Sequence, residues 1–141
     1  MRKLCLIIIS LLLLYGCAGT GTKSYSDVAH SIDEDVKKVF IYRDDGFVGS
    51  ALLMQVRLNG TEIAKLGIGE MVVGDGAVGT NTLEVEIGGL GGIGMNTPTV
   101  TFDLVDDQNR YFILNIKQKF FSVKIQIMET LKSAWQAQVK E

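Results

Sequence analysis

Between Met54 and Ile127 apolar side chains return at every second position in run after run, and no other feature of this sequence narrows its fold as much. Met54, Val56 and Leu58 alternate with Gln55 and Arg57; Leu83, Val85 and Ile87 with Glu84 and Glu86; Val100, Phe102 and Leu104 with Thr101 and Asp103. Phe121, Val123, Ile125 and Ile127 repeat the pattern against Ser122, Lys124 and Gln126. A period of two sends one face of a strand into a core and the other into water. Val39 to Arg43 and Tyr111 to Lys117 are apolar enough for strands with less clean faces. Asn59-Gly60 between two such runs predicts a hairpin, because a type I′ turn needs positive φ at both central residues. Asp106-Asp107-Gln108-Asn109 is expected to join its flanking strands in a similar way. Seven or eight short strands at this spacing predict an all-β fold, a small antiparallel β-sandwich. From about Glu129 the pattern changes to Leu131, Trp135 and Val139, a helical stripe. The domain is thus expected over residues 38–141, ending in a short helix whose Trp135 covers a sheet edge or end.

The first residues follow other rules. Arg2 and Lys3 precede an apolar run from Leu4 to Leu14 broken only by Ser10. About eleven residues is the length of a secretory signal core, and it falls short of the roughly 20 that a membrane-crossing helix needs. Residues 1–16 therefore read as a signal peptide. Leu14-Tyr15-Gly16-Cys17 resembles a bacterial lipobox, with an aliphatic residue three before the cysteine and a small one just before it. The resemblance implies cleavage before Cys17, a diacylglyceryl group on its sulfur, and a new amine available for acylation. The alternative is an ordinary secretory signal with a chance cysteine. A thiolate suits the attachment because it is a strong nucleophile near neutral pH, and several acyl chains at about 0.8 kcal/mol per buried CH₂ hold far better than one. Ala18, in place of aspartate, is what that class uses for transfer to the outer membrane. The expected location is thus the outer membrane, lipid-anchored, with the domain facing the periplasm.

Cys5 would leave with the signal and Cys17 would be capped, so the mature chain would hold no free thiol. Disulfides, thiol catalysis and cysteine-rich metal sites go together with it. Removing Arg2 and Lys3 lowers the basic count from 14 to 12 against 16 acidic residues. That balance, with no basic run, argues against nucleic acid as a partner. Residues 17–37 are small and polar, then acidic at Asp33-Glu34-Asp35, and read as the lipidated cysteine followed by a flexible tether. Val28, Ile32 and Val36 at i, i+4, i+8 allow a short docking helix within it.

IYRDDGFVGSALLMQVRLNGTEIAKLGIGEM, residues 41–71, resembles the opening of a bacterial lipoprotein domain family, domain of unknown function 2846. Tyr42-Arg43, Phe47-Val48-Gly49-Ser50, Asn59-Gly60 and Leu66-Gly67-Ile68-Gly69 match its motifs in order, and the likeness thins after Gly69. Asp44 stands where the family has proline, and Val78-Gly79-Thr80-Asn81-Thr82-Leu83 lacks the proline and histidine of a later family element. The resemblance implies a lipid-anchored sandwich of immunoglobulin-like or transthyretin-like character, and no activity.

No motif for chemistry stands out. Gly89-Leu90-Gly91-Gly92-Ile93-Gly94 fits a dinucleotide fingerprint in letters, but such a loop must open a helix whose amides meet the phosphates, and Met95-Asn96-Thr97-Pro98 leads into a strand. His30, the single histidine, lies outside the expected domain. Asp44-Asp45-Gly46 lacks the ligand spacing of a calcium loop, so no metal, cofactor or catalytic residue is expected. Arg43 is expected as a solubilising edge charge, or else as the partner of a carboxylate at the strand end. Phe47 is expected to plug one end of the core, the alternative being an exposed contact. Arg43, Phe47 and Gly49 are the candidate binding surface. The expected function is a non-enzymatic protein-binding or scaffolding module attached to the membrane through Cys17, with an envelope protein as partner; the alternative is a small-ligand binder using a cavity near the glycine loop.

Overall fold

A computed structural model describes residues 19–120 and 122–140; the signal peptide and Cys17 lie outside these residues. Helix α1 (Tyr25–Glu34) comes first, then strands β1 (Lys38–Arg43), β2 (Met54–Leu58), β3 (Thr61–Leu66), β4 (Met71–Asp75) and β5 (Gly79–Ile87). A 3₁₀ turn (Leu90–Gly92) leads to β6 (Thr99–Leu104), β7 (Arg110–Lys119), β8 (Ser122–Thr130) and helix α2 (Lys132–Val139). The strands make two four-stranded sheets, ordered β4-β1-β7-β8 and β3-β2-β5-β6. This is the small β-sandwich that the alternation predicts. One central pair, β1 with β7, is parallel, because everything between them in the chain is spent on the other sheet and on β4.

The alternating residues fill the space between the sheets. Val39, Ile41, Met54, Val56, Leu58, Leu66, Leu83, Val85, Phe112 and Leu114 form one buried cluster. The uninterrupted Val39-Phe40-Ile41-Tyr42 run has a separate cause. Phe40 and Tyr42 point away from that cluster into a second one with Val28, Ile32, Met71, Tyr111, Ile113 and Trp135. A strand buried on both faces reads as a continuous apolar run, and here both helices supply the second cover. Trp135 is fully buried. Its ring lies edge-on to Phe40 at 5.7 Å and tilted against Tyr111 at 5.9 Å, and its indole N–H donates to the Phe112 carbonyl at 3.2 Å. Trp135 therefore covers a sheet face, not the edge or end expected of it: a flat ring buries more area over the outward aromatics of β1 and β7 than over a row of backbone groups.

Residues 19–37 are not a free tether in this fold. Val28 and Ile32 of α1 are buried, and Lys132 of α2 donates to the Ile32 carbonyl and meets Asp33, both at 3.1 Å. Val36, outside the helix, is exposed. Asn59 and Gly60 have φ of 52° and 79°, the pair of positive angles that an I′ turn requires. Residues 106–109, by contrast, do not close a hairpin: β6 and β7 belong to different sheets, and the link crosses between them, fastened by Lys37 N to Gln108 O at 3.0 Å and Lys38 N to Asn109 Oδ1 at 2.9 Å. Beside this end lies Asn81, fully buried, whose amide joins Ala77, Gly79 and Asn59 at 2.7 to 2.9 Å.

Candidate functional site

Strands β1, β3, β5 and β7 all run toward one end of the sandwich, so the connections 44–53, 67–70, 88–98 and the β7–β8 tip gather there. Arg43 fixes this loop end. Its side chain points between the sheets and is 2% exposed. The guanidinium donates to the carbonyls of Gly49 at 2.7 Å and Leu66 at 2.8 Å, and also to that of Leu52. Burial lowers the Arg43 pKa from its usual value, while the charges of Asp44 and Glu70 oppose the shift. Arg43 is thus neither an edge charge in water nor hydrogen-bonded to a carboxylate. It clamps the loop 44–53 to the end of β3 by giving its donors to carbonyls of both segments, charge-assisted bonds that count for more than neutral ones. The position in an unbroken apolar run was the available signal, since the next inward place on a doubly covered strand is also buried.

Gly49 serves the same clamp. Its φ is +74°, and a Cβ there would stand 2.4 Å from Cδ1 of Ile116. Phe47 does the reverse of what its type suggests: it is 90% exposed. The expected core plug is supplied instead by Leu52, Met95 and Ile116, which pack against the inter-sheet cluster. A turn closed by Ser50 N to Phe47 O at 3.2 Å and Leu52 N to Gly49 O at 2.9 Å points the Phe47 ring outward.

The glycine loop is folded, not open. Leu90–Gly92 makes its 3₁₀ turn, and Asn96 pins the loop to β8 by accepting from Ile125 N at 2.8 Å and donating to Ile125 O at 3.0 Å. It leads into β6 and presents no helix N-terminus. Leu90 and Ile93 stand 88% and 77% exposed. The remaining tip was not legible, because Lys117-Gln118-Lys119-Phe120 carries no common turn signal. There β7 continues from Asn115 to Lys119 beyond its register with β1, and Phe120 sits at the tip with φ +44° and 96% exposure. Lys117 and Lys124 face each other across this hairpin; among the described residues neither lies within ion-pair distance of a carboxylate, although the charge of Lys117 reaches Asp44. Like charges directly opposite are unfavourable in a ladder. Asp44 and Asp45 are the acidic residues of the neighbouring loop; burial raises the Asp44 pKa, offset by its hydrogen bond from Gly46.

The sheet edges are less available than the loops. Each edge strand is blocked at one point: β3 at Lys65 by Thr20, β4 at Met71 by Thr22, β8 at Ile125 by Asn96, and β6 at the Asp103 carbonyl by Arg110. Such plugs, main-chain at Thr22, mixed at Thr20 and side-chain at Asn96 and Arg110, discourage an added strand. A shallow cleft of about 340 Å³ lies beside the glycine loop, lined by Leu52, Gln55, Lys65 and Gly88 among others. His30 lies exposed on α1 with Nδ1 3.3 Å from Glu34. Compared with family models, with curated proteins and with solved structures, the chain shows no match.

Proposed function

We propose that this chain is a lipid-anchored envelope protein of the outer membrane that acts as a non-enzymatic binding or scaffolding module, held through acylated Cys17 and facing the periplasm. The observation that carries this reading is how the chain just after Cys17 is attached. Thr20 exchanges two hydrogen bonds with Lys65, at 2.8 and 2.9 Å, and Thr22 two with Met71, at 3.0 and 2.8 Å. An anchor joined to a rigid body without a long tether suits holding something at a fixed place better than reaching for it. No helix of the described residues is long and apolar enough to cross a membrane, so the attachment in this reading is lipid. The resemblance of residues 41–71 to the family of domain of unknown function 2846 fits it.

The surface for a protein partner is the outward face of the sheet β3-β2-β5-β6. Its Thr82 and Thr101 are exposed and paired across β5 and β6. A photoreactive residue at Thr101 in living cells is expected to give a discrete protein adduct. The same smear as a site on α1 would refute the protein-binding reading. Cys17→Ser is expected to leave the chain unprocessed and to abolish acylation; a mature, tightly membrane-held Cys17→Ser product would refute the lipobox. The cleft beside the glycine loop favours the second reading, a small-ligand site, and ligand binding there would raise the melting temperature of the protein.

A further inference from the structure

At the loop end three connections each leave large apolar side chains exposed: Phe47 from 44–53, Leu90 and Ile93 from 88–98, and Phe120 from the β7–β8 tip. Scattered surface leucines or valines need no explanation, and the opposite end has some, Val78, Val105 and Leu131. Two phenylalanines at 90% and 96% exposure at one end of the sandwich are different. A ring left in water at each tip, one of them on a positive φ, marks a contact surface.

The path of the chain tells what that surface meets. Gly19 lies against Glu70 in the β3–β4 connection, so closely that a Cβ there would fall 2.0 Å from its carboxylate oxygen. The described chain therefore begins at the loop end. Ala18 alone separates Gly19 from Cys17, and two extended residues span at most about 7 Å. Whatever holds the sulfur of Cys17 also holds the loop end. The alternative position, with the domain standing away from the membrane, needs a slack tether, and residues 20–34 are taken up by the bonds to Lys65 and Met71 and by α1.

We propose that the loop end is seated on the bilayer, with Phe47, Leu90, Ile93 and Phe120 entering the interfacial layer and Lys117 and Lys124 meeting anionic headgroups. This rests on the lipobox reading and names what the anchored end contacts. The facing lysines then have a use: a membrane bearing negative charge relieves the repulsion they impose on the hairpin. Insertion of a few side chains would be weak alone. With the anchor in place it becomes intramolecular, and weak contacts suffice.

The test uses the full-length lipidated protein in vesicles of phosphatidylethanolamine and phosphatidylglycerol. Phe47→Cys, Phe120→Cys and, at the opposite end, Val78→Cys are each labelled with an environment-sensitive fluorophore; all three positions are exposed, and an unchanged melting temperature confirms the fold. Labels at 47 and 120 are expected to shift to the blue and to be quenched severalfold more by nitroxide lipids than the label at 78. Equal, water-like signals at all three positions on protein that floats with the vesicles would overturn the seating while leaving the anchor intact. Protein that does not float at all would overturn the anchor reading itself. Shielding that grows with protein density, or that occurs only in native envelopes, would assign the surface to a second copy or to a protein partner and likewise refute the proposal.

Discussion

Arg43 and Arg57 sit on consecutive strands of opposite sheets, and they end up in opposite circumstances. Arg43, on β1, is buried with its donors on three backbone carbonyls. Arg57, on β2, lies on an outward face between Glu84 at 3.0 Å and Glu86 at 2.7 Å, and those carboxylates raise its pKa. The same contrast holds for the sheets as wholes. The sheet β4-β1-β7-β8 has a core on both sides, since α1 and α2 lie on its outer face. The sheet β3-β2-β5-β6 has one core, and no helix of the described residues packs on its other side. Arg43 spends its donors inside the protein; Arg57 shows its guanidinium to water between two carboxylates. A charge on an inward strand face, like Arg43, therefore belongs to stability, and a charge on an uncovered face, like Arg57 or like Lys117 where β7 runs past β1, is available for contact.

That comparison is most severely tested at Trp135. Trp135→Ala is expected to cost about 3–5 kcal/mol, the range for removing a fully buried large aromatic, read from chemical unfolding. A loss under 1 kcal/mol would mean that the helices lie loosely on the sheet. Arg43→Met keeps the volume and removes a donor from three carbonyls, of which Gly49 keeps the Leu52 N–H and only Leu66 is met at a buried bond; the expected loss is about 1–3 kcal/mol, smaller than for Trp135, and hydrogen exchange should rise across residues 44–53. If exchange there is unchanged, Arg43 is not the clamp. Gly60→Val forces a β-branched residue to φ +79°, which costs roughly 1–2 kcal/mol. Unchanged thermal unfolding would sink the I′ turn.

Smaller effects separate the two arginines' surroundings. Burial raises the folded-state pKa of Asp44, so the carboxyl favours the fold while protonated, below its ordinary range, and that contribution disappears as pH rises through the raised value. Asp44→Asn is thus expected to melt slightly higher than the parent at neutral pH and to lose the advantage in acid. The reverse order at pH 7 would show that the bond to Gly46 outweighs burial. Arg57→Ala is expected to change least, with a melting temperature near that of the parent and no dependence on added salt beyond the parent's, because exposed pairs are screened. A shift as large as that of Arg43→Met would place the open face under cover and end the comparison.

Much of this was legible beforehand because period-two burial is written locally: each alternating run became a strand, and Asn59-Gly60 became its turn. The failures share a physical cause. Phe47 was expected inside on residue type, but Leu52 is five residues on and reaches the same place with a smaller side chain. Residues 106–109 have hairpin composition, yet a turn's composition is the same whether its strands pair or part. The Lys117–Phe120 tip has no turn signal at all, and its pairing is held by the ladder from Tyr111 to Lys119 with β8.

By itself the sequence determined the strand faces, the helical stripe around Trp135, the glycine turn at Gly60 and the lipobox pattern around Cys17, since each depends on residues a few places apart. Only the tertiary structure decided which sheet the helices cover, that Arg43 is a clamp, and that Phe47, Phe120 and Gly19 share one end. Those are relations between residues far apart in the chain, set by which buried surfaces fit together, and no local period records them.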